Sequence, residues 1–393
     1  MTLRLLGIQI ANGFSPEARV FAGLLAQTDP DAVTAQVLHH HGTGDAHSLA
    51  AFQAASGAEV QALDFGWRST AANRSLRHKS LARLRFLAAL PRALALARRF
   101  QPDVIYSCQQ LWDCQAATYL ARRLRVPQII HLHYIVGPWL HKPVLHRLQT
   151  CAGVFTVSDF IRAEALRHGT FPERVVTIRN AMTVPAPADP AVRGAVRREL
   201  GIAPEAPLLG IVARLDPGKG QSDTLHAFAR ARAGFPSARL LVVGDETPWH
   251  PGYAETLKGE VQALGLGDSV LFLGRRADVP RLLAALDIFV HPSRLDPCPL
   301  ALLEAAAAGL PVVAYAEGGA NELTANGRTG LLSAPGSVPG LGDSLCRLLA
   351  DPAWAAALGQ AGRERVRVEF RPEAAGPLFE AAVQQAVFPR RGA

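Results

Sequence analysis

The chain has 393 residues, which exceeds the size of one ordinary hydrophobic core and fits two domains of typical size. Hydrophobic residues make up 49% of the chain and charged residues only 19%, so global disorder is excluded. The formal net charge of +8 predicts anionic partners, a class that includes nucleic acid, membrane surfaces and phosphorylated small molecules.

The first half of the chain alternates short apolar strands with helical segments. A strand is predicted over Leu3–Gln9, followed by a loop over 11–16 and a helix over 17–27. Apolar, β-branched runs predict further strands over 102–106, 128–131, 154–157 and 175–178. This alternation predicts a parallel sheet.

The N-terminal segment is interpreted as this first strand and not as a secretory signal. The sequence contains no run of roughly 18 uncharged apolar residues, the length of a membrane-spanning helix. The five cysteines are not spaced as metal ligands, which is typical of a reducing compartment. We therefore expect a cytoplasmic protein.

After Asn180 a stretch rich in Pro and Ala lacks periodicity and predicts an interdomain linker. We place the first domain at residues 1–185 and the second at 186–371, with a C-terminal helix over 372–386 that returns to the first domain. The second domain resumes the alternation of strands and helices. Its predicted strands are Leu208–Val212, 240–243, 270–273, Ile288–His291 and 311–315, and its predicted helices are 222–233, 255–264, 279–285 and 300–308.

The loop after the first strand of the second domain carries two cations. Ligands of open α/β sheets bind outside the carboxyl ends of the strands, so each loop that follows a strand is a candidate site. Arg214 and Lys219 stand on either side of a Pro and Gly turn where the next helix begins. Two cations at a helix N-terminus fit a diphosphate. The alternative is a pair of solvated charges on a surface loop.

Two acids and two glycines follow later strands of the same domain. Asp296 and Glu304 are separated by seven residues, and Glu304 falls inside a predicted buried helix rich in alanine, where a lone carboxylate needs a partner. Vicinal ribose hydroxyls are such a partner. Gly318 and Gly319 precede a predicted helix start and let backbone amides approach an anion. Unrelated acids and a plain tight turn are the alternatives.

These segments together resemble a known family. Arg214 with Lys219, the Asp-x7-Glu segment, HPS and EGGANELTANGRTGLL resemble the retaining GT-B glycosyltransferases of family 4, which use nucleotide-sugars. VPQIIHLHY and VSDFIRAEALRHGTFPERVVTIRNAM in the first half also resemble that family, so the resemblance covers nearly the whole chain. It implies an α/β fold of GT-B architecture, with two Rossmann-like domains facing each other across a cleft.

The resemblance implies donor-binding roles for Arg214, Lys219, Glu304, Gly318 and Gly319. The two cations would hold the pyrophosphate, and Glu304 would accept the ribose hydroxyls. Asp296 and His133 are the expected catalytic residues: Asp296 would lie at the donor sugar, and His133 would reach toward that sugar from the first domain across the cleft. The family implies no bound metal and no cofactor beyond a substrate nucleotide-sugar, expected to be UDP- or GDP-linked.

Two departures from the family pattern fall in the segments assigned to the active region. The family usually has Glu where this chain has Asp296, a side chain one methylene shorter. The family's diglycine in the first loop is absent, since Gly13 is followed by Phe and then by Ser15. Gly13 and Ser15 are nevertheless assigned to the acceptor-side loop.

The leading hypothesis is a retaining, metal-independent glycosyltransferase that moves a sugar to a glycan, glycolipid or small-molecule acceptor, with a cell-envelope polysaccharide among the expected products. The alternatives are a nucleotide-sugar epimerase of similar architecture and a non-catalytic nucleotide-binding relative. Nucleic acid is not an expected partner, because the positive charge comes with no nucleic-acid-binding motif.

A basic segment of the first domain predicts a further partner. Residues 74–99 contain eight Lys or Arg and no acid, interleaved with leucines that include Leu84, Leu87, Leu90 and Leu94. A helix of this composition predicts peripheral contact with an anionic membrane. The alternative is that the leucines face the domain core.

Two other patterns are interpreted as having no functional role. Asp29 and Asp31 are predicted to form a turn rather than a metal site. The triplet His39, His40 and His41 is not predicted to bind a metal, because neighbouring residues of a strand point to opposite faces and do not share one ion easily. We expect these histidines to be exposed.

Overall fold

The computed structural model describes residues 2–10, 15–41, 46–66, 75–109, 111–137, 140 and 142–389. The chain divides into two compact units, one made of Met1–Ala181 with Pro372–Ala393 and the other of Met182–Arg371. The boundary predicted after residue 185 therefore falls after Ala181. Met182 donates its N–H to the carbonyl of Phe370 at 2.7 Å, and its side chain packs on the second unit's core.

The first unit is built on a parallel sheet in the order β3-β2-β1-β4-β5-β6-β7. Strands β1 to β7 are Leu3–Gln9, Val33–His40, Glu59–Leu63, Val104–Ser107, Gln128–Leu132, Gly153–Thr156 and Val175–Thr177. Helices α1 to α6 are Pro16–Ala26, Ala46–Ser56, Leu76–Phe100, Trp112–Leu124, Lys142–Thr150 and Asp159–Arg167. The C-terminal helix, Pro372–Val387, packs in the core of this unit, where Phe379 meets the ring of Tyr106.

The second unit is built on a parallel sheet in the order β10-β9-β8-β11-β12-β13. Strands β8 to β13 are Leu208–Val212, Arg239–Val243, Val270–Gly274, Ile288–His291, Val312–Tyr315 and Gly330–Ser333. Helices α7 to α14 are Pro190–Glu199, Gln221–Arg232, Tyr253–Ala263, Val279–Leu283, Leu300–Ala307, Ala320–Leu323, Val338–Ala350 and Pro352–Glu369. The predicted α/β class, with two parallel sheets, is confirmed.

Both sheets are covered by helices on their two faces, which explains why their strands are continuous apolar runs. In β1, Leu5 packs in one buried cluster with Phe21 of α1, whereas Leu6 and Ile8 pack in the opposite cluster with α3 and α4. In the second unit, Leu209 and Leu208 of β8 likewise enter different clusters. Alternate residues of each strand thus bury opposite faces.

Two sequence-based interpretations are corrected. Helix α7 begins inside the predicted linker, because the Asp189 side chain accepts the N–H of Ala191 at 2.8 Å and Pro190 occupies the first helical position. His39 and His40 are buried, not exposed. The imidazole of His39 lies edge-on to the ring of Phe52, so an adjacent helix covers this part of β2.

Candidate functional site

The loops after β8 and β11 meet at the point where the strand order of the second sheet reverses, the usual ligand position in open α/β sheets. The N–H of Arg294 donates to the carbonyl of Gly218 at 2.9 Å, and the Ser293 hydroxyl donates to the same oxygen at 3.3 Å. Gly220 has a φ of 74°, and a Cβ there would lie 2.4 Å from the carbonyl oxygen of Pro292. The close approach of the two loops therefore requires glycine at this position.

Lys219 and Asp296, predicted separately from the sequence, form an ion pair. The Lys219 Nζ lies 2.5 Å from Asp296 Oδ2, and the Asp296 side chain is only 12% exposed. The hydroxyl of Ser293 donates to the same oxygen at 3.4 Å. Burial acts to raise the pKa of Asp296, but the charge of Lys219, the electrostatic interaction with His291 and the hydrogen bonds from Lys219 and Ser293 together hold that pKa below its ordinary value. The carboxylate is therefore ionised at neutral pH.

Gly318 and Gly319 bring the loop after β12 against this acid. The N–H of Gly319 donates to the backbone carbonyl of Asp296 at 2.8 Å. Gly318 has a φ of 59°, and a Cβ there would lie 2.5 Å from that same carbonyl oxygen. A side chain at either position would push the two loops apart, so the pair has a structural requirement in addition to its predicted role at an anion.

Arg214 and Glu304 lie on segments that follow β8 and β11, the two strands whose loops carry the ion pair. Arg214 is exposed, in the loop after β8, which is held by the side-chain amide of Gln221 donating to the Arg214 carbonyl at 2.7 Å. Glu304 lies in α11 and is partly exposed. Their roles at pyrophosphate and ribose stay predictions.

Two residues near the acid were not singled out from the sequence. His291 ends β11 and is buried, with Nε2 at 3.7 Å from Asp296 Oδ2, and burial lowers its pKa to about 4. It is the first residue of the HPS segment, and that segment was the sequence signal that could have identified it. Leu295 precedes Asp296 with a φ of 54°, a left-handed conformation that leucine rarely adopts. Such local strain tends to occur at functional sites.

In the first unit, His133 follows β5 and is buried against His131, with the ring centroids 4.2 Å apart. Burial lowers the pKa of His133 to about 4, although the carboxylate of Glu17 acts in the opposite direction. The imidazole is therefore neutral at physiological pH. A neutral imidazole offers one N–H donor and one acceptor nitrogen, a combination that fits hydroxyl groups.

The surroundings of His133 contain residues that sequence reasoning missed. The hydroxyl of Tyr106 shares a hydrogen bond with His131 Nδ1, and the hydroxyl of Tyr134 donates to Glu17 in the first turn of α1. His131 stands two positions before His133, and the two-residue period of a strand is the signal that points to it.

The predicted acceptor-side loop is described only in part. Ser15 is the N-cap of α1, where its side chain accepts the N–H of Ala18 at 3.3 Å. This capping bond stabilises the start of the helix. Gly13 lies outside the described residues, so its assignment stays a prediction.

The described ranges show no group of three or more His, Cys, Asp or Glu side chains arranged to hold a metal ion. Among the helices of the same ranges, none has the length and apolarity needed to cross a membrane.

Comparisons with known proteins extend over most of the chain. The model of the glycosyl transferases group 1 matches residues 192–365, and the model of Glycosyltransferase Family 4 matches residues 45–184. The GDP-mannose-dependent monoacylated alpha-(1-6)-phosphatidylinositol monomannoside mannosyltransferase of Corynebacterium glutamicum is 37% identical over 199 residues, which are 48% of this chain and 50% of that protein. This match thus spans about half the length of the relative.

Two further proteins match more of the chain. The 2-deoxystreptamine glucosyltransferase of Streptomyces kanamyceticus is 29% identical over 304 residues, 72% of this chain and 77% of that protein. The crystal structure of Anabaena HepE in complex with UDP and glucose covers 98% of this chain and 100% of that chain, with a TM-score of 0.81 and 22% identity. From the two family models and this likeness in fold, the chain belongs to the family 4 glycosyltransferases of GT-B architecture.

Proposed function

We propose that the protein is a retaining glycosyltransferase that moves a hexosyl group from a UDP- or GDP-linked sugar to an acceptor hydroxyl. The observation that carries this proposal is the contact between the loops after β8, β11 and β12, which gathers Lys219, Asp296 and the two glycines at the reversal of strand order. Support comes from the relatives, whose names specify GDP-mannose or a glucosyl group, and from HepE, which was crystallised with UDP and glucose.

The proposed mechanism uses the leaving diphosphate and no metal. Lys219 and Arg214 supply two positive charges where a divalent cation would otherwise neutralise the leaving group. Asp296 lies at the donor sugar, and Glu304 accepts the ribose hydroxyls. The departing phosphate helps to deprotonate the acceptor hydroxyl, so no protein group is assigned as the general base. Retention is proposed to proceed without a protein nucleophile.

A thermal-shift and product assay tests this function. Binding to the native state raises the melting temperature, so UDP or GDP at 100 times its Kd is expected to stabilise the protein by about 2.7 kcal/mol. Turnover is expected to release the nucleoside diphosphate, to require an acceptor and to persist in excess EDTA. Epimerised nucleotide-sugar formed without an acceptor would favour the epimerase, and activity restored only by magnesium or manganese would reject the metal-free mechanism.

For the acceptor, we propose a glycan or lipid-linked molecule at the cytoplasmic face of an anionic membrane, reached through the N-terminal half of α3. In that half Leu81, Leu84 and Leu87 are exposed, Leu84 by 64%. In the C-terminal half Leu90 and Leu94 are buried in the core, so the predicted leucine stripe divides between solvent and core. The relative that acts on a phosphatidylinositol monomannoside supports a lipid-linked acceptor.

Charge complements these exposed leucines. Arg77, Lys79, Arg83 and Arg85 are exposed on the same half of α3, and no acid occurs between residues 75 and 100. Exposed leucines next to cations match the composition of an interfacial helix. Arg74, the remaining cation at the start of this segment, lies outside the described residues.

Vesicle flotation tests the membrane contact. Replacing Arg77, Lys79, Arg83 and Arg85 by Gln is expected to weaken partitioning onto vesicles with an anionic lipid by on the order of 1,000-fold, because each of the four cations contributes about 1 kcal/mol. The wild-type binding should also weaken with salt. Replacing the exposed Arg122 and Lys258 by Gln is the control and should change little. Equal recovery on neutral and anionic vesicles would contradict the proposal.

A further inference from the structure

Three side chains that carry hydrogen-bond donors lie close to Asp296 Oδ2. Lys219 Nζ lies at 2.5 Å, the Ser293 hydroxyl at 3.4 Å and His291 Nε2 at 3.7 Å. Only the first of these is a short, strong contact, because the second is near the limit of a hydrogen bond and the third is beyond it. The ion pair with Lys219 therefore dominates the ligand-free state.

This ion pair conflicts with the role proposed for Lys219. If its ammonium group binds the donor diphosphate, it has to turn away from Asp296, at least in part. The Asp296 carboxylate is nearly buried, and among the hydrogen bonds of its side chain in the described chain only the long one from Ser293 would remain. An ionised, buried carboxylate that loses its partner is strongly destabilised. A bound nucleoside diphosphate, which brings no sugar hydroxyl to Asp296, thus requires that another side chain donate a hydrogen bond to this carboxylate.

His291 has the properties that this position requires. Its ring is buried, and Nε2 has no hydrogen-bond partner among the residues described. A shift of less than 1 Å would bring Nε2 within hydrogen-bond distance of Asp296 Oδ2, which is about 3 Å. In the ligand-free state burial keeps the histidine neutral, and a neutral imidazole has one N–H, which the ring can present from Nε2.

We propose that His291 is a positioning residue that exchanges with Lys219: when the donor diphosphate draws the lysine away, the Nε2–H of His291 donates to Asp296 Oδ2 and keeps the carboxylate in place. This inference rests on the proposed donor role of Lys219. The Asp296 carboxylate thus keeps its orientation in both states, because Lys219 donates to it in the ligand-free protein and His291 donates to it when the diphosphate is bound. His291 thereby favours diphosphate binding without touching the nucleotide.

The first test needs no nucleotide. In Lys219→Met the lysine partner is permanently absent, so His291 is expected to bond to Asp296 in the ligand-free protein. Proton NMR of the full chain should then show a hydrogen-bonded imidazole N–H signal that is absent from the wild type and from the double variant Lys219→Met with His291→Asn. A folded Lys219→Met protein without that signal would overturn the proposed exchange.

The second test is a double-mutant cycle, with UDP and GDP titrated by calorimetry. His291→Phe removes the N–H and keeps a planar ring, and it is expected to raise the diphosphate Kd about 10- to 100-fold, the effect of losing one hydrogen bond to a charged group. His291→Asn, which retains an N–H donor, should recover part of the affinity. In the Asp296→Asn background, which has no carboxylate to hold, His291→Phe should have no further effect.

The outcomes of these tests separate the two proposals. Additive effects of the two substitutions, or an unchanged Kd in His291→Phe, would show that His291 only packs in the core and would overturn the exchange. If the wild type binds neither UDP nor GDP, the proposed donor site fails, and the nucleotide-free NMR measurement still decides whether His291 replaces Lys219 at Asp296.

Discussion

Lys219→Glu is expected to lower kcat/KM by about 1,000-fold or more. Losing a single group that stabilises developing charge costs about 100- to 1,000-fold in rate, and reversing its charge adds repulsion of the leaving diphosphate. The new carboxylate would also face Asp296, whose Oδ2 lies 2.5 Å from the present ammonium nitrogen. Release of nucleoside diphosphate from the nucleotide-sugar, with acceptor present, measures the effect.

The matched control is Lys258→Glu. Lys258 is an exposed lysine of α9 in the same unit, and its Nζ pairs with Glu255 at 2.7 Å. The reversal there changes the net charge by the same amount, so any general electrostatic effect is common to both variants, and we expect nearly full activity. If a folded Lys219→Glu protein were as active as the Lys258→Glu control, the assignment of Lys219 to the donor site would be wrong.

Only part of the candidate site could be predicted from the sequence. The loops that carry Lys219, Asp296 and Gly318 were identified because each follows a strongly apolar strand. The ion pair was not, because its members are 77 positions apart and meet only where β8 and β11 are neighbours. That adjacency skips two intervening strands of the chain, and strand periodicity contains no information about sheet order.

Strand β3 and the burial of His40 were also missed in the sequence analysis, and both omissions have a physical explanation. Strand β3, Glu59–Leu63, is at the edge of the first sheet and is mostly not buried, so it lacks the apolar run of the inner strands. The burial of His40 depends on a distant partner, since its Nδ1 accepts the N–H of Phe65 at 3.2 Å. A polar residue buried by such a tertiary contact resembles an exposed one in sequence.

The largest stability effect is expected from Asp287→Ala, at about 3 kcal/mol, the lower end of the range for breaking a buried ion pair. The guanidinium of Arg197, a residue only 2% exposed, donates to Asp287 Oδ2 at 2.8 Å. The same oxygen accepts the N–H of Leu208, the first residue of β8, at 2.7 Å. Asp287 itself is partly exposed, which places the effect at the lower end.

Removal of Asp287 leaves the buried guanidinium of Arg197 with backbone carbonyls as its hydrogen-bond acceptors among the residues described, those of Ala206 and Ala285 included. Carbonyl dipoles do not neutralise its charge, so the destabilisation comes from Arg197 and not from the lost carboxylate alone. The double variant with Arg197→Met, which removes the charge and retains apolar volume, should therefore be more stable than Asp287→Ala. Equal stability of the two would contradict this explanation.

Calorimetry of the full chain measures the loss against a surface control. At roughly 2–4 °C per kcal/mol for a unit of this size, Asp287→Ala should lower the melting temperature of the second unit by about 6–12 °C. The control is Asp343→Ala, which breaks an ion pair with Arg230 whose side chains are 57% and 56% exposed. Exposed pairs contribute less than about 1 kcal/mol. A similar decrease in melting temperature in both variants would mean that the burial of Arg197 does not account for the effect of Asp287→Ala.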